Sequence, residues 1–380
     1  MSVTGDPPVV TGAWRAGQPD GHRRFADLGD VVLERGGRLP GVRVAYETWG
    51  TLNAAGDNAV LVEHALTGDS HVVGAAGPGH PSPGWWEGLV GPGRDLDTDR
   101  WFVVSANVLG GCQGSTGPSS AAPDGRPWGS RFPFITIRDQ VAVEALLADL
   151  LGIERWAVVI GGSMGGMRVV EWAVGHPDRV AQAIVLASTA AATADQIAWA
   201  QPQLLAIRAD PDFAGGDYYD RPRGPRTGMG IARRIAQTTY RSAAELDERF
   251  GRDVQPGEDP LGDGGRYAVE SYLDYHSDKL ARRFDANSYL VLTEAMNSHD
   301  VGRDRGGVAA ALARVTASVV AVGVDSDRLY PVAQSERIAH GVRHGQVRII
   351  HSGCGHDGFL IEVDQVGAIV RDTLGRPSGT

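Results

Sequence analysis

Hydrophobic positions in the first half of the chain fall into short apolar runs separated by stretches with helical spacing. Runs at 30–33, 42–49, 59–64, 101–107, 156–160 and 183–187 read as strands, and 137–151 and 164–176 carry a helical period. The first two runs look like a hairpin and are expected to pair antiparallel. Beyond them, the alternation predicts a mainly parallel sheet covered by helices on both faces. From about 188 to 311 the pattern changes. Helical spacing at 195–208, 231–240, 243–250 and 267–280 is broken by DPDFAGGDYYDRPRGPRTG and VQPGEDPLGDGG, both dense in Gly, Pro and Asp and therefore loops. No strand pattern is convincing there. Alternation then resumes with a strand at 318–324, a helix at 332–340, a strand at 347–351 and a helix at 359–374. The expected architecture is an α/β core formed by 1–188 and 312–380. A helical insertion, 189–311, is expected to cover the carboxyl edge of its sheet as a lid.

Composition narrows the class. The chain has 380 residues, 42% of them hydrophobic, enough for a large buried core. The net charge is −10 and no Lys/Arg stripe is visible, which argues against nucleic acid or anionic membrane as a partner. No uncharged apolar run reaches the ~20 residues of a membrane span. The N-terminus has neither a basic start nor an apolar segment of the secretory kind. Two cysteines, Cys112 and Cys354, give no disulfide framework and suit a reducing compartment. The expected localisation is cytoplasmic.

The stretch WAVVIGGSMGGM (156–167) carries the chemistry. An apolar strand runs into Gly161-Gly162-Ser163-Met164-Gly165-Gly166 and then into a helical pattern. The G-x-S-x-G spacing places Ser163 at the apex of a strained strand-to-helix turn, where glycines avoid Cβ clashes and helix N–H groups favour negative charge. A serine hydroxyl needs a base, itself oriented by a carboxylate. Both follow later strands: Asp325 or Asp327 after 318–324, and His356 in SGCGHDG after 347–351. Either aspartate could equally cap a helix; Asp327, deeper in the turn, is preferred. The chain order Ser, Asp, His is that of the α/β-hydrolase fold. An oxyanion needs two preorganised donors. The amide of Met164, next to the nucleophile, is one candidate. The backbone of Leu66, in the loop HALTGD after 59–64, is the other. The histidines show no metal-ligand spacing, and Cys112 in GGCQGSTG reads as packing rather than as a nucleophile.

Longer strings add a resemblance. HALTGDSHV (64–72), the segment from GWWEGLVGPGRDLDTDRWF to GGCQGSTGPSS (84–120), GGSMGGMRVVEWA (161–173), GMGIARRIAQTTYRS (228–242), DSDRLYP (325–331) and GHDGFL (355–360) together resemble the homoserine O-acetyltransferases, from about residue 25 to 372. The resemblance implies an α/β-hydrolase fold with Ser163 as nucleophile, Asp327 as orienter and His356 as general base and acid. It also implies acetyl-CoA and L-homoserine as substrates, with substrate contacts from Asp357, Arg233 and, as a weaker candidate, Tyr240. A zwitterionic acceptor wants a carboxylate for its ammonium and a guanidinium fork for its carboxylate. No metal or organic cofactor is implied, CoA being a cosubstrate. A homodimer through the lid helices is expected. Three readings compete: an esterase or thioesterase on the same fold, a homoserine O-succinyltransferase or serine acyltransferase, and a non-catalytic binding protein.

Overall fold

The computed structural model describes residues 10–375 except residue 263. An eight-stranded sheet organises the chain. Strand β1 (Arg24–Val32) pairs antiparallel with β2 (Arg38–Trp49), as the hairpin pattern predicts. β3 (Ala59–Glu63) is followed by two short strands, β4 (Val90–Gly91) and β5 (Leu96–Asp97), which form a separate parallel pair. β6 (Phe102–Ala106), helix α1 (Ile137–Leu150), β7 (Trp156–Gly162), α2 (Met164–Gly175) and β8 (Val180–Leu186) complete the first half. After the inserted segment come β9 (Ser318–Val324), a helix at Val332–Gly341 and the last strand at His344–Ile350. From β6 through β3, β7, β8, β9 and the last strand every neighbour is parallel, and β2 joins β6 antiparallel. Parallel strands covered on both faces must be apolar throughout, and all five residues of β3 are buried. With the parallel strands sharing one direction, the loops after β3, β7, β9 and the last strand all emerge along the same edge.

The inserted segment is helical: α3 (Ala194–Arg208), α4 (Arg226–Tyr240), α5 (Ala243–Phe250), α6 (Ala268–Arg283), α7 (Ala286–Asn297) and α8 (Val308–Leu312). Helix α9 is Val332–Gly341 and strand β10 is His344–Ile350. α4 packs between α3 and α6. The periodicity did not mark α7. It is buried on almost every side, from Ala286 through Tyr289 and Leu292 to Ala295, so it lacks the polar face that makes a helix visible in sequence. The expected terminal helix at 359–374 is two, α10 (Gly358–Ile361) and α11 (Val363–Leu374), divided at Glu362. The first strand also begins six residues earlier than expected. β10 likewise begins earlier, at an exposed His344 that the hydrophobic pattern could not mark. Among the described residues no helix is long and apolar enough to cross a membrane.

Beneath the sheet edge lies a charged cluster shut off from solvent. Arg168, one turn into α2, donates to Glu144 of α1 at 2.6 Å and to the carbonyl of His64 at 2.6 Å. It also ion-pairs with Glu63 at the end of β3. Burial pushes the Glu63 carboxyl well above its ordinary range, against the pull of Arg168. Removing Arg168 leaves two carboxyl groups buried side by side without their cation, and only Glu144 keeps a donor, the Trp172 indole at 3.0 Å. Arg168→Met is therefore expected to lower stability by about 3–5 kcal/mol. Urea unfolding followed by circular dichroism measures this, and a loss under about 1 kcal/mol would show the cluster to be electrostatically idle.

Candidate active site

Ser163 joins β7 to α2 with φ 57° and ψ −121°, a conformation rarely adopted by residues with a side chain. The turn lies so close to the end of β3 that a Cβ on Gly165 would come 2.2 Å from the Glu63 carbonyl oxygen, and one on Gly161 would come 2.6 Å from the Glu63 Cβ. Glycine is needed at both places for lack of space. The Ser163 amide donates to the Leu186 carbonyl, and its own carbonyl accepts from the Ser188 hydroxyl at 2.7 Å. The strained residue is thus held from both sides.

The three residues named from sequence meet here. Ser163 Oγ lies 2.9 Å from His356 Nε2, and His356 Nδ1 lies 2.7 Å from Asp327 Oδ2. All three are buried. The other oxygen of Asp327 accepts the amides of Leu329 and Tyr330, each at 2.8 Å, so its carboxylate cannot swing away from the imidazole. Asp325, the alternative, points elsewhere: it pairs with the exposed His351 at 2.8 Å and accepts the Ser352 amide. Burial opposes a charged His356, but the adjacent Asp327, by charge and hydrogen bond, raises its pKa above the ordinary imidazole value. Tyr330 stacks on the same ring at 5.0 Å.

A cavity of about 190 Å³ opens on this group, and Leu66, Thr67, Trp85, Ser163, Arg233, Tyr240, Arg283, His356 and Asp357 are among its lining residues. The two amides named as oxyanion candidates are those of Leu66 and Met164. Leu66 lines the cavity, and Met164 is the first residue of α2; neither amide has a protein acceptor among the described residues. Arg233 faces the cavity with its guanidinium 5.2 Å from the Tyr240 ring, and no carboxylate pairs with it among the described residues. Its neighbour Arg234 instead binds Asp274 at the surface. Asp357 pairs with Arg241 at 3.3 Å. Burial raises its pKa, while Arg241, His356 and Arg233 pull the other way. Tyr240 lies beside His356, with ring centroids 5.7 Å apart.

Two further arginines were not singled out from the sequence. Arg241 follows α4 and holds Asp357. Arg283 ends α6 and reaches the Thr67 carbonyl at 2.7 Å. Nothing in LARRFD separates the cavity-facing Arg283 from the exposed Arg282 before it. Cys112 is buried, burial raises the pKa of its thiol, and both cysteines are free. Trp86 is core, whereas Trp85 lines the cavity. Among the described residues, Glu47, His71 and His80 are the one group with metal-type donors close together. Those donors serve one another and the backbone: His71 Nδ1 meets Glu47 at 3.0 Å, and His80 Nε2 accepts the His22 amide at 2.9 Å.

Comparison with known proteins now adds to the geometry. Residues 58–363 match the family model described as the alpha/beta hydrolase fold. A homoserine O-acetyltransferase of Thermobifida fusca is 65% identical over 98% of this chain and all of its own length. The enzyme of that name from Leifsonia xyli is 60% identical, over 97% of this chain and 93% of its own. Among solved structures, a homoserine O-acetyltransferase from Bacillus anthracis superposes with a TM-score of 0.87 at 26% identity, covering 94% of this chain and 98% of its own. An esterase, E22, superposes with a TM-score of 0.85 at 27% identity, covering 93% and 99%. With a nucleophile elbow, a buried Ser-His-Asp relay and relatives this similar along nearly its whole length, the chain belongs to the homoserine O-acetyltransferase family of α/β-hydrolase-fold enzymes.

Proposed function

We propose that this protein transfers the acetyl group of acetyl-CoA to the γ-hydroxyl of L-homoserine, in two steps through an acetylated Ser163. His356 takes the hydroxyl proton as Ser163 Oγ attacks the thioester carbonyl. The developing oxyanion is received by the amides of Leu66 and Met164. The C–S bond breaks, and the proton on His356 leaves with the CoA thiolate as thiol. Homoserine then enters, His356 removes its γ-hydroxyl proton, and the new oxygen attacks the acetyl carbon. Collapse frees Ser163 Oγ, which recovers the proton from His356. Asp327 keeps the imidazole in the right tautomer and stabilises its charged form.

The observation that carries the acceptor assignment is Arg233, a cavity-facing guanidinium without a carboxylate partner in the same cavity as Ser163. It offers a fork to the homoserine carboxylate, while Asp357, next to the base, is the ammonium partner. Tyr240 lines the same cavity beside Arg233. A hydrolase reading has one point in its favour, the close likeness to esterase E22. A cavity that carries fixed charge for a zwitterion favours transfer to an amino-acid alcohol over transfer to water. A homodimer through the lid helices belongs to the same reading, supported by the exposed Leu205, Ile231 and Tyr275 on that segment.

Three outcomes are expected. Mixing enzyme with acetyl-CoA alone should give one equivalent of thiol in a burst and an acetylated protein by intact mass; Ser163→Ala should give neither, and an adduct on that variant would remove Ser163 from the role. Arg233→Gln should raise the homoserine KM about ten- to a hundredfold, the worth of a hydrogen bond to a charged group, with the burst unchanged. The raised pKa of His356 places the acid limb of kcat/KM above about 6.5, since the base works only when neutral. Asp327→Asn takes away the charge that raises it. The limb should then move to lower pH as kcat falls about 10⁴-fold; a limb that stays put would assign it to another group.

A further inference from the structure

The loop carrying Leu66 is held from the core side by groups already described or adjacent to them. The Gly68 amide donates to the Ala65 carbonyl at 2.9 Å, closing a tight turn with Leu66 and Thr67 at its centre. His64 Nε2 accepts the Val108 amide at 3.1 Å, which leaves Nδ1 as the donor to the Ala65 carbonyl at 2.8 Å. Burial, and after it Arg168, push the His64 pKa down to about 3, so this ring stays neutral and the tautomer is fixed. Arg168 holds the His64 carbonyl. All of these contacts belong to the sheet layer.

One contact comes from the other side. Arg283, the last residue of α6 in the inserted segment, donates from Nη1 to the Thr67 carbonyl at 2.7 Å. The Thr67 carbonyl is its hydrogen-bond partner, and Asp69 of the same loop acts on it by charge. Its backbone is fixed as well: the Gln113 side-chain amide donates to the Arg283 carbonyl at 3.0 Å and to the Gly12 carbonyl at 3.2 Å. A Cβ on Gly12 would come 2.3 Å from the Arg283 backbone, so the N-terminal arm is laid directly on this residue. A half-buried arginine with a clamped backbone is a poor candidate for a mobile surface charge. It is a good one for a strut.

We propose that Arg283 is a positioning residue, which sets the turn bearing the Leu66 amide and so makes the oxyanion site depend on the docked position of the inserted helices. The guanidinium fixes the Thr67 peptide, and through the closed turn it fixes the direction of the Leu66 N–H. This rests on the acyl-transfer reading above. It assigns Arg283 to the step before homoserine binds and leaves Arg233 with the acceptor.

The test is the thiol burst with acetyl-CoA alone, measured by rapid mixing, together with the homoserine KM in steady state. The wild-type burst is read first; if it is absent, the acyl-enzyme reading itself fails. Given a burst, Arg283→Met is expected to slow its rate ten- to a hundredfold with the homoserine KM within about twofold, and Arg283→Lys to recover much of the rate. A burst at the wild-type rate overturns the proposal, whether the variant loses only thermal stability or only affinity for homoserine. Should Arg283→Met fail to fold, Gln113→Ala releases the Arg283 backbone and leaves its guanidinium in place. A severalfold slower burst at unchanged homoserine KM is then expected, and an unchanged rate overturns the proposal.

Discussion

The close approach of the β7–α2 turn to the end of β3 is the constraint on which the rest of the site depends. It brings a nucleophile in a strained conformation, a helix N-terminus and the loop carrying a second amide within one small volume. The approach leaves no room for a Cβ at Gly161 or Gly165, and the strain at Ser163 persists because the flanking strands and Ser188 hold the residue at both its amide and its carbonyl. A looser turn would still contain a serine, but its hydroxyl would have no fixed relation to His356.

Electrostatics reinforces this geometry from below. The same β3 end that crowds the turn also delivers Glu63 to Arg168, and Arg168 in turn grips the His64 carbonyl. A buried ion cluster is weak evidence for net stability, because desolvation consumes most of the attraction. What it does provide is registration: Arg168 ties α1, α2 and the end of β3 to one another and to the loop that follows β3.

Much of this was legible in the sequence because the governing forces were local. Glycine at fixed spacing around a serine reports steric exclusion, and short apolar runs report parallel strands buried on both faces. Asp327 and His356 were legible as residues following predicted strands; depth in the turn favoured Asp327 over Asp325, and only the folded chain shows which of the two meets the His356 imidazole. Other features had no local signature. Helix α7 is enclosed on nearly every side and so has no polar stripe, and β4 and β5, two residues each, are too short to form a pattern. Arg283 and Arg241 look like ordinary helix-end arginines. Their significance arises from partners hundreds of residues away for the first and over a hundred for the second. Long-range partnership is the kind of information that a single chain conceals.

The inserted helices leave the sheet after β8 and return to it at β9, two strands that lie side by side in parallel register. An excursion made between adjacent neighbours needs no change in strand order, so its length and content are free of the constraints that hold the sheet together. The nucleophile belongs to β7 and α2, and the base and orienter come from loops after the return. The Arg233 side of the acceptor pocket can therefore drift through substitutions confined to the excursion, while Asp357 and the reacting trio stay where they are. Esterases and acetyltransferases sharing one backbone are what such a division of labour would leave behind over evolutionary time.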